Sequence, residues 1–527
     1  MAAQRRVVEL WEHEGNRKKA REVAERIHSR PNALTPRQLA ELDAQLLSLG
    51  SEPRKGTDAR RALFDATPDD VELGLSLIEF DRFRAPKVAR AFVNRMRHLP
   101  APASGDIRIE LAEAHIAGLL GDRQRSEELL TRANIRAQAL GARTEMALAL
   151  YVKAFTLDGV EVHPADAIEP LRRAEALLST VGDLDEFARA KAFEAQTAID
   201  LPPVTAALKT LEYNAALYRK LGEHSHLSIT LEMEAGQLVQ SGDFDLAASK
   251  LREVSAELET LGEVGGPGLQ GIKGSLALNL ADMEGVRDAV RLLRTVPNGE
   301  SDADYAASLL PLEGNALEEQ DRLREARAVW ERQLTSWETI GQGAFVDRLR
   351  SHLCFSSCLE GHPLEGLSCL ARLPLDTLSG SVGPVYIKIY FTVCRYLAGD
   401  LRGAEEAAAQ AQAASQTWGL YNERIISNAY LMRAKAARGE SRRAIATLRA
   451  DLAEAERRKA KMVAFEVALA LGEVEVGAGR PEGHSRLLRL EQEAKSKEFF
   501  HIARLAREAF DGKPAAAAQK HVERSIR

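Results

Sequence analysis

The segment Ser241-Gly242-Asp243-Phe244-Asp245-Leu246-Ala247 lies between two apolar triplets of equal spacing. Leu231, Ala235 and Leu238 precede it at i, i+4 and i+7; Ala247, Leu251 and Val254 continue from it in the same rhythm. That spacing lines each triplet along one stripe of a helix, so the segment is the turn of a helical hairpin. The layout returns as Leu310, Gly314, Leu317 with Ala326, Trp330, Gln333, and as Val467, Leu471, Val474 with Gly483, Leu487, Leu490. In all three units the second triplet begins 16 residues after the first. Small residues at Ala235 and Gly314 let the paired helices approach closely.

Glycines extend the pattern along the chain. Gly141, Gly182, Gly222 and Gly262 are 41, 40 and 40 residues apart, and Gly341, Gly380 and Gly419 are 39 and 39 apart. Asn298-Gly299 stands near the midpoint of the 79-residue gap between the two groups. A second series interleaves: Gly242, Asp321, Gly361, Gly399, Gly439 and Gly479, with Met283-Glu284-Gly285 filling its one double step. Two interleaved series with a period near 40 describe a repeated unit with two turns, separated by stretches long enough for one helix each. No stretch shows sustained β alternation, and the predicted class is all-α.

A helix, a Gly-Asp turn and a second helix, with small residues at Ala235 and Ala247 and large ones at Leu231, Leu238 and Leu251, resemble the tetratricopeptide repeat. Ser241 to Ala247 matches that family's inter-helix turn closely, and Ala398-Gly399-Asp400-Leu401 more loosely. The family's usual period is about 34 residues. The longer period here resembles the variant in maltose-regulon-type transcription activators and in helical arrays beside bacterial signalling kinases. The resemblance covers roughly Ile107 to Leu490 and implies a right-handed superhelical solenoid of about thirteen antiparallel helix pairs. Residues 1–104 are expected to form divergent helical pairs, with starts at Thr35-Pro36 and Thr67-Pro68, Asp70 completing a capping box, and a turn at Glu14-Gly15-Asn16. Repeats occupy 105–490, a capping helix lies within 491–511 (Lys495 to Phe510 as one amphipathic helix), and 512–527 is expected to be a mobile tail.

Composition narrows the classes. The 527 residues are 45% hydrophobic, 28% charged and only 5% aromatic, which fits helices packed through small side chains. A net charge of −6 gives no overall drive toward nucleic acid or an anionic membrane, although residues 1–62 and 495–527 each carry +4. Neither a signal peptide nor a membrane span is expected. Four cysteines suit a reducing compartment, and the expected location is cytoplasmic.

Catalytic motifs are missing. Gly266-Pro267-Gly268-Leu269-Gln270-Gly271 satisfies the literal dinucleotide string but follows a helix, where a strand is needed to aim the pyrophosphate site. Cys354, Cys358, Cys369 and Cys394 share one window, yet the spacing of structural zinc sites is absent, so they are expected to be packing residues. No cofactor and no metal are expected, and the chain is not expected to be an enzyme.

The inner face is the expected site. If Ile387, Phe391 and Cys394 face the paired helix, the next residues along successive repeats are Arg350, Lys388 and Asn428 in one row, and Ser357, Arg395 and Lys435 in another. Tyr386 and Tyr390 are expected to wall the groove, with Tyr396 and Tyr430 nearby. Such a groove suits a protein or peptide partner presenting acidic residues or a C-terminal carboxylate. Membrane insertion and nucleic acid are not expected. The function implied is a non-catalytic interaction scaffold or adaptor; the alternative is a sensor array that binds a small effector or controls a kinase or ATPase on another chain.

Overall fold

A computed structural model describes residues 8, 17–31, 34–49, 53–82, 86–157, 164–182, 184–199, 201–261, 265–295, 303–340, 343–373 and 383–512. Among these residues the chain is helical with no strand, and consecutive helices pack as pairs. The close approaches are those the small residues prepared. A Cβ at Gly314 would stand 2.5 Å from the Trp330 ring, and one at Gly472 would stand 2.6 Å from Leu487. This is a tetratricopeptide-like array of helix pairs.

The first compact unit comprises Met1–Leu201, Ala206–Leu231 and Glu253–Val264. Its helices are α1 (Arg17–His28), α2 (Pro36–Leu49), α3 (Pro53–Ala66), α4 (Val71–Asp81), α5 (Pro86–Arg97) and α6 (Ile107–Leu119). They continue as α7 (Arg123–Leu140), α8 (Arg143–Phe155), α9 (Pro164–Val181), α10 (Leu184–Ile199) and α11 (Val204–Leu221). Thr35 caps α2 as expected, its hydroxyl accepting from the Gln38 amide while Gln38 reaches back to the Thr35 N–H. The start assigned to Thr67-Pro68 is corrected. Asp70 is the N-cap of α4, accepting from the Leu73 amide at 3.0 Å, and the Thr67 hydroxyl donates back to Leu63 instead. The turn expected at Glu14-Gly15-Asn16 lies outside the described residues.

The second unit comprises Pro202–Thr205, Glu232–Arg252 and Gly265–Arg527. The hairpin α12 (His224–Ser241) and α13 (Phe244–Leu261) contributes its Gly242 end here. Then follow α14 (Pro267–Asn279), α15 (Met283–Thr295), α16 (Ala303–Glu319), α17 (Leu323–Ile340), α18 (Gly343–Leu359), α19 (Pro363–Leu370) and α20 (Gly383–Leu397). The unit ends with α21 (Leu401–Trp418), α22 (Tyr421–Lys435), α23 (Ser441–Arg457), α24 (Lys461–Gly477), α25 (Pro481–Ser496) and α26 (Phe500–Phe510). Gly399, Gly419, Gly439 and Gly479 all take positive φ at helix ends, as the series requires. Asp321 takes the same conformation (φ 58°) without being glycine. The step filled by Met283-Glu284-Gly285 is corrected: those residues open α15, and the left-handed residue is Ala281 (φ 53°). Gly262, Gly299, Gly341 and Gly380 fall outside the described residues. The single helix expected over Lys495 to Phe510 is also corrected. Glu498 turns left-handed (φ 62°) and divides it between α25 and α26.

The second unit closes on itself. Arg458, in the α23–α24 turn, donates to the Ser241 and Gly242 carbonyls at 3.3 and 3.4 Å and to the Asp243 carboxylate at 3.2 Å. Lys459 reaches Asp245 at 2.8 Å, and Asn422 donates to Asn279 at 2.6 Å. Helix α14 packs on α24, and α16 on α26. One apolar core runs through both sides of this closure, from Met283, Val286 and Leu293 to Phe465, Phe499 and Ile502. Asp321 completes it, accepting from His501 at 2.9 Å and Arg504 at 2.7 Å. Those two donors hold its carboxyl well below the usual range, against the upward push of burial.

Gly242 makes the closure sterically possible. Its φ is +78°, and a Cβ there would lie 2.5 Å from Tyr421 Cγ. Gly141, with φ +65°, has nothing within 4 Å of a built Cβ. Gly141→Ala is therefore expected to cost about 1–2 kcal/mol from the left-handed backbone alone. Gly242→Ala carries that cost plus the clash, and denaturant unfolding should show the larger loss. Equal losses would mean that Tyr421 does not press on the turn.

Candidate functional site

The first helices of successive pairs, α14, α16, α18, α20, α22 and α24, form a ring. Neighbours are linked by packing from α14 to α16 and from α18 through α20 and α22 to α24, by the Glu318–His352 contact between α16 and α18, and by closure of α24 on α14. Their inner side is polar and aromatic. Behind α16, α18 and α20, the indole N–H of Trp330, on the outer helix α17, donates to Glu318 Oε1 at 2.9 Å, His352 Nε2 meets the same oxygen at 2.9 Å, and Tyr390 stands 2.8 Å from His352 Nδ1. This arrangement suits an imidazole that gives its proton to Glu318 and accepts from the Tyr390 hydroxyl. The Phe355 ring stacks on Tyr390 at 4.5 Å.

Further round, the Arg348 guanidinium lies 4.9 Å from the Tyr386 ring centre, and the Tyr386 phenol hydrogen-bonds to Glu423 on α22. The charge on Glu423, then burial, raises the Tyr386 phenol well above its ordinary value. Burial raises Glu423, partly offset by that hydrogen bond and by Arg348. Arg433 on α22 is 4% exposed, pairs with Glu473 at 2.7 Å, and lies 4.7 and 5.9 Å from the rings of Tyr430 and Tyr396. Burial pulls its pKa down, and the larger sum of Glu473, Tyr430, Tyr396 and Glu466 raises it.

The two ends of the row meet. Burial, then the charges of Glu466 on α24 and Glu318, push the Glu319 carboxyl up to about 8. Glu466 lies four inner helices away from Glu319 in sequence order, so this repulsion acts within a narrow ring. Among the described residues, the groups that interact across this face include the carboxyl groups of Glu318, Glu319, Glu423, Glu466 and Glu473 and the guanidiniums of Arg348 and Arg433. Among the described residues no group of three His, Cys, Asp or Glu side chains is arranged to hold a metal.

Of the residues singled out in the sequence, Tyr386 and Tyr390 belong to this face. The basic ones do not join it. Arg350, Lys388 and Lys435 each lie two residues from an inner position (Arg348, Tyr386 or Tyr390, Arg433), which is about 200° around a helix. Arg350 pairs outward with Glu338 at 2.9 Å. Arg395 donates to the Gly403 carbonyl at 3.1 Å and lies over Phe391. Asn428 is 8% exposed and bridges Gln412 and Asp451, inside the packing of α22 on its neighbours. The signal missed was Arg348, Glu423 and Arg433, polar residues two or more positions away that the assumed register turned outward. The cysteine expectation is corrected too. Cys354, Cys358 and Cys394 do pack in an apolar cluster with Leu370, but as disulfides and not as thiols: Cys354 is bonded to the exposed Cys369, and Cys358 to Cys394.

The raised Glu319 carboxyl makes stability pH-dependent. A pKa of about 8 in the fold against an ordinary 4.5 contributes stability below pH 4.5 that is lost as pH rises through about 8. Glu319→Gln removes that loss. Its melting temperature relative to the wild type should rise by several degrees between pH 5 and pH 9, read by circular dichroism. A difference that is the same at both pH values would show that Glu319 is not held protonated.

No family model and no curated protein matches the chain. Among solved structures, it is similar to one described as the APC/C hetero-tetramer Cut9-Hcn1, at 13% identity and TM-score 0.45, over 97% of this chain and 96% of that one. It is also similar to a Rap protein complexed with competence and sporulation factor, at 10% identity and TM-score 0.35, over 67% of this chain and 96% of that one. The paired helices, their left-handed turns and their glycine-mediated contacts give the chain a helical-repeat fold that resembles tetratricopeptide arrays.

Proposed function

We propose that the chain is a non-catalytic interaction scaffold that holds a segment of a partner protein against the inner helices of the second unit. The carrying observation is the lining. A ring of six helices devoted to stability would fill its centre with aliphatic side chains, whereas this one places tyrosines, guanidiniums and carboxylates there. Buried ion pairs such as Arg433–Glu473 contribute little net stability against an apolar replacement, so the polar face is better explained by what it contacts.

The partner expected from Arg350, Lys388, Arg395 and Lys435 carried carboxylates. With those residues off the face, Glu319 held protonated and Glu473 paired with Arg433, the remaining Glu318, Glu423 and Glu466 outnumber Arg348, and a segment bearing basic side chains is the complementary one. The membrane plays no part in this reading, since no described helix is long and apolar enough to cross one.

The test contrasts two positions on one helix. A photo-crosslinking residue replaces Tyr386, on the inner side, or Lys388, on the opposite side, in cells of the native host. Protein adducts are expected at position 386 and not at 388. Adducts confined to 388 would move the binding face, and adducts at neither would remove it from this helix.

A further inference from the structure

Helix α19 is the anomaly of the second unit. It has 8 residues, whereas the helices in the same place in other pairs (α15, α17, α21, α23, α25) have 13 to 18. Where it stops, an open cavity of 720 Å³ remains, walled by Leu353, Leu364 and Leu373, with Arg372 at the rim and the Cys354–Cys369 disulfide in its side. Gly366 brings α19 close enough for that bond. A Cβ there would collide with Cys358 Sγ and stand 2.7 Å from the Cys354 carbonyl. Cys369, three residues on, then has its Cα 5.4 Å from that of Cys354.

The four sulfur-bearing residues are not equivalent. Cys354, Cys358 and Cys394 are 2, 1 and 0% exposed, while Cys369 is on the surface. The two bonds also join different things. Cys354–Cys369 ties α18 to its outer partner α19, and Cys358–Cys394 ties the successive inner helices α18 and α20.

We propose that Cys354–Cys369 is a thiol–disulfide exchange site for low-molecular-weight thiols of about tripeptide size, with Cys369 as the sulfur attacked and Cys358–Cys394 as an inert staple. Exchange requires a thiolate to reach one sulfur along the S–S axis, and access decides which sulfur that is. Here only Cys369 is open. The incoming thiolate forms a bond to Cys369 Sγ, the Cys354–Cys369 bond breaks, and its electron pair leaves on Cys354, which takes a proton from water. Cys369 is left as a mixed disulfide. A second thiolate then attacks the small molecule's sulfur, Cys369 leaves as a thiolate, and the small disulfide departs. Two thiols are oxidised to one disulfide, and the protein pair is reduced by the same two electrons. The cavity falls within the roughly 300–1,000 Å³ typical of small-molecule sites. Arg372 is one helical turn beyond Cys369, where its guanidinium donates to Ser368 Oγ at 3.2 Å and stands ready for a carboxylate of the thiol. None of this depends on the partner-binding face.

The experiment uses the native full-length chain, oxidised, and glutathione as the probe, followed by intact mass and peptide mapping after acid quench. One glutathione should appear on Cys369 while Cys358–Cys394 stays linked. An adduct on Cys354, loss of both disulfides together, or no adduct until denaturant is added would each overturn the proposal. Arg372→Ala should slow adduct formation several-fold with glutathione and leave the rate with uncharged 2-mercaptoethanol unchanged. Equal slowing with both thiols would refute the role given to Arg372. Because the decisive mapping is done on the wild-type chain, a variant that misfolds does not blunt it.

Discussion

The second unit depends on its closure between segments more than two hundred residues apart, where Arg458 and Lys459 meet the turn that Gly242 makes and one apolar core spans the junction. An open stack of helix pairs exposes its inner face along its whole length. Closing the stack turns that face into the wall of a ring, and everything distinctive about the lining follows from the enclosure. Glu319 is raised first by burial and then by the charge of Glu466 that comes round to meet it; Tyr390 and Tyr430 are raised chiefly by burial, and Tyr386 by the charge of Glu423 and then by burial. The closure combines a charged surface contact with an apolar core. The surface pair at Lys459 contributes little in salt, whereas Phe465, Phe499 and Ile502 against Met283 and Leu293 supply the burial that holds the ring shut.

The ring's polarity is ordered. On one arc, Trp330, Glu318, His352 and Tyr390 form a chain of hydrogen bonds; on the other, Arg433 lies between two tyrosine rings and a carboxylate. Satisfied networks of this kind fix rotamers, while the charge left over, carboxylate in excess of guanidinium, gives the face its sign. Rigid side chains with a defined sign are what selective capture of a segment needs, since less conformational freedom remains to be lost on binding.

Much of the architecture is legible in the sequence because a helix pair is a local object. The i, i+4, i+7 stripes and the glycine period report contacts made within about forty residues, and Gly314 against Trp330 follows directly from them, whereas the contact on Leu487 is made by Gly472, one residue past the Leu471 that the stripe named. Where the turn residue is not glycine the signal weakens. Ala281 adopts a left-handed φ that nothing in its side chain announces, and the neighbouring Gly285 drew the assignment away. The site was harder, for two separate reasons. The expected core positions Ile387 and Cys394 are buried, but the stripe chosen beside them is not the inner one: two residues along a helix turn by about 200°, which exchanges Arg348 for Arg350 and Arg433 for Lys435. The closure has no local signature at all: Gly242 is one turn glycine among many until Tyr421 is seen against it.

The cysteines show how the short helix and the ring are reconciled. With 8 residues, α19 is the shortest of the described helices in this unit. Two covalent links fall there and nowhere else among the described residues. Constraining a loop of 15 residues is worth about 3 kcal/mol in the chain-entropy account, comparable to a large buried side chain. The division between the two links matters more than their sum. Cys358–Cys394 joins inner helix to inner helix and is buried; Cys354–Cys369 joins an inner helix to the truncated outer one and faces the cavity. The chemistry that reaches the surface therefore acts on the link whose loss loosens α19, and leaves intact the one that keeps α18 beside α20 and the lining in register.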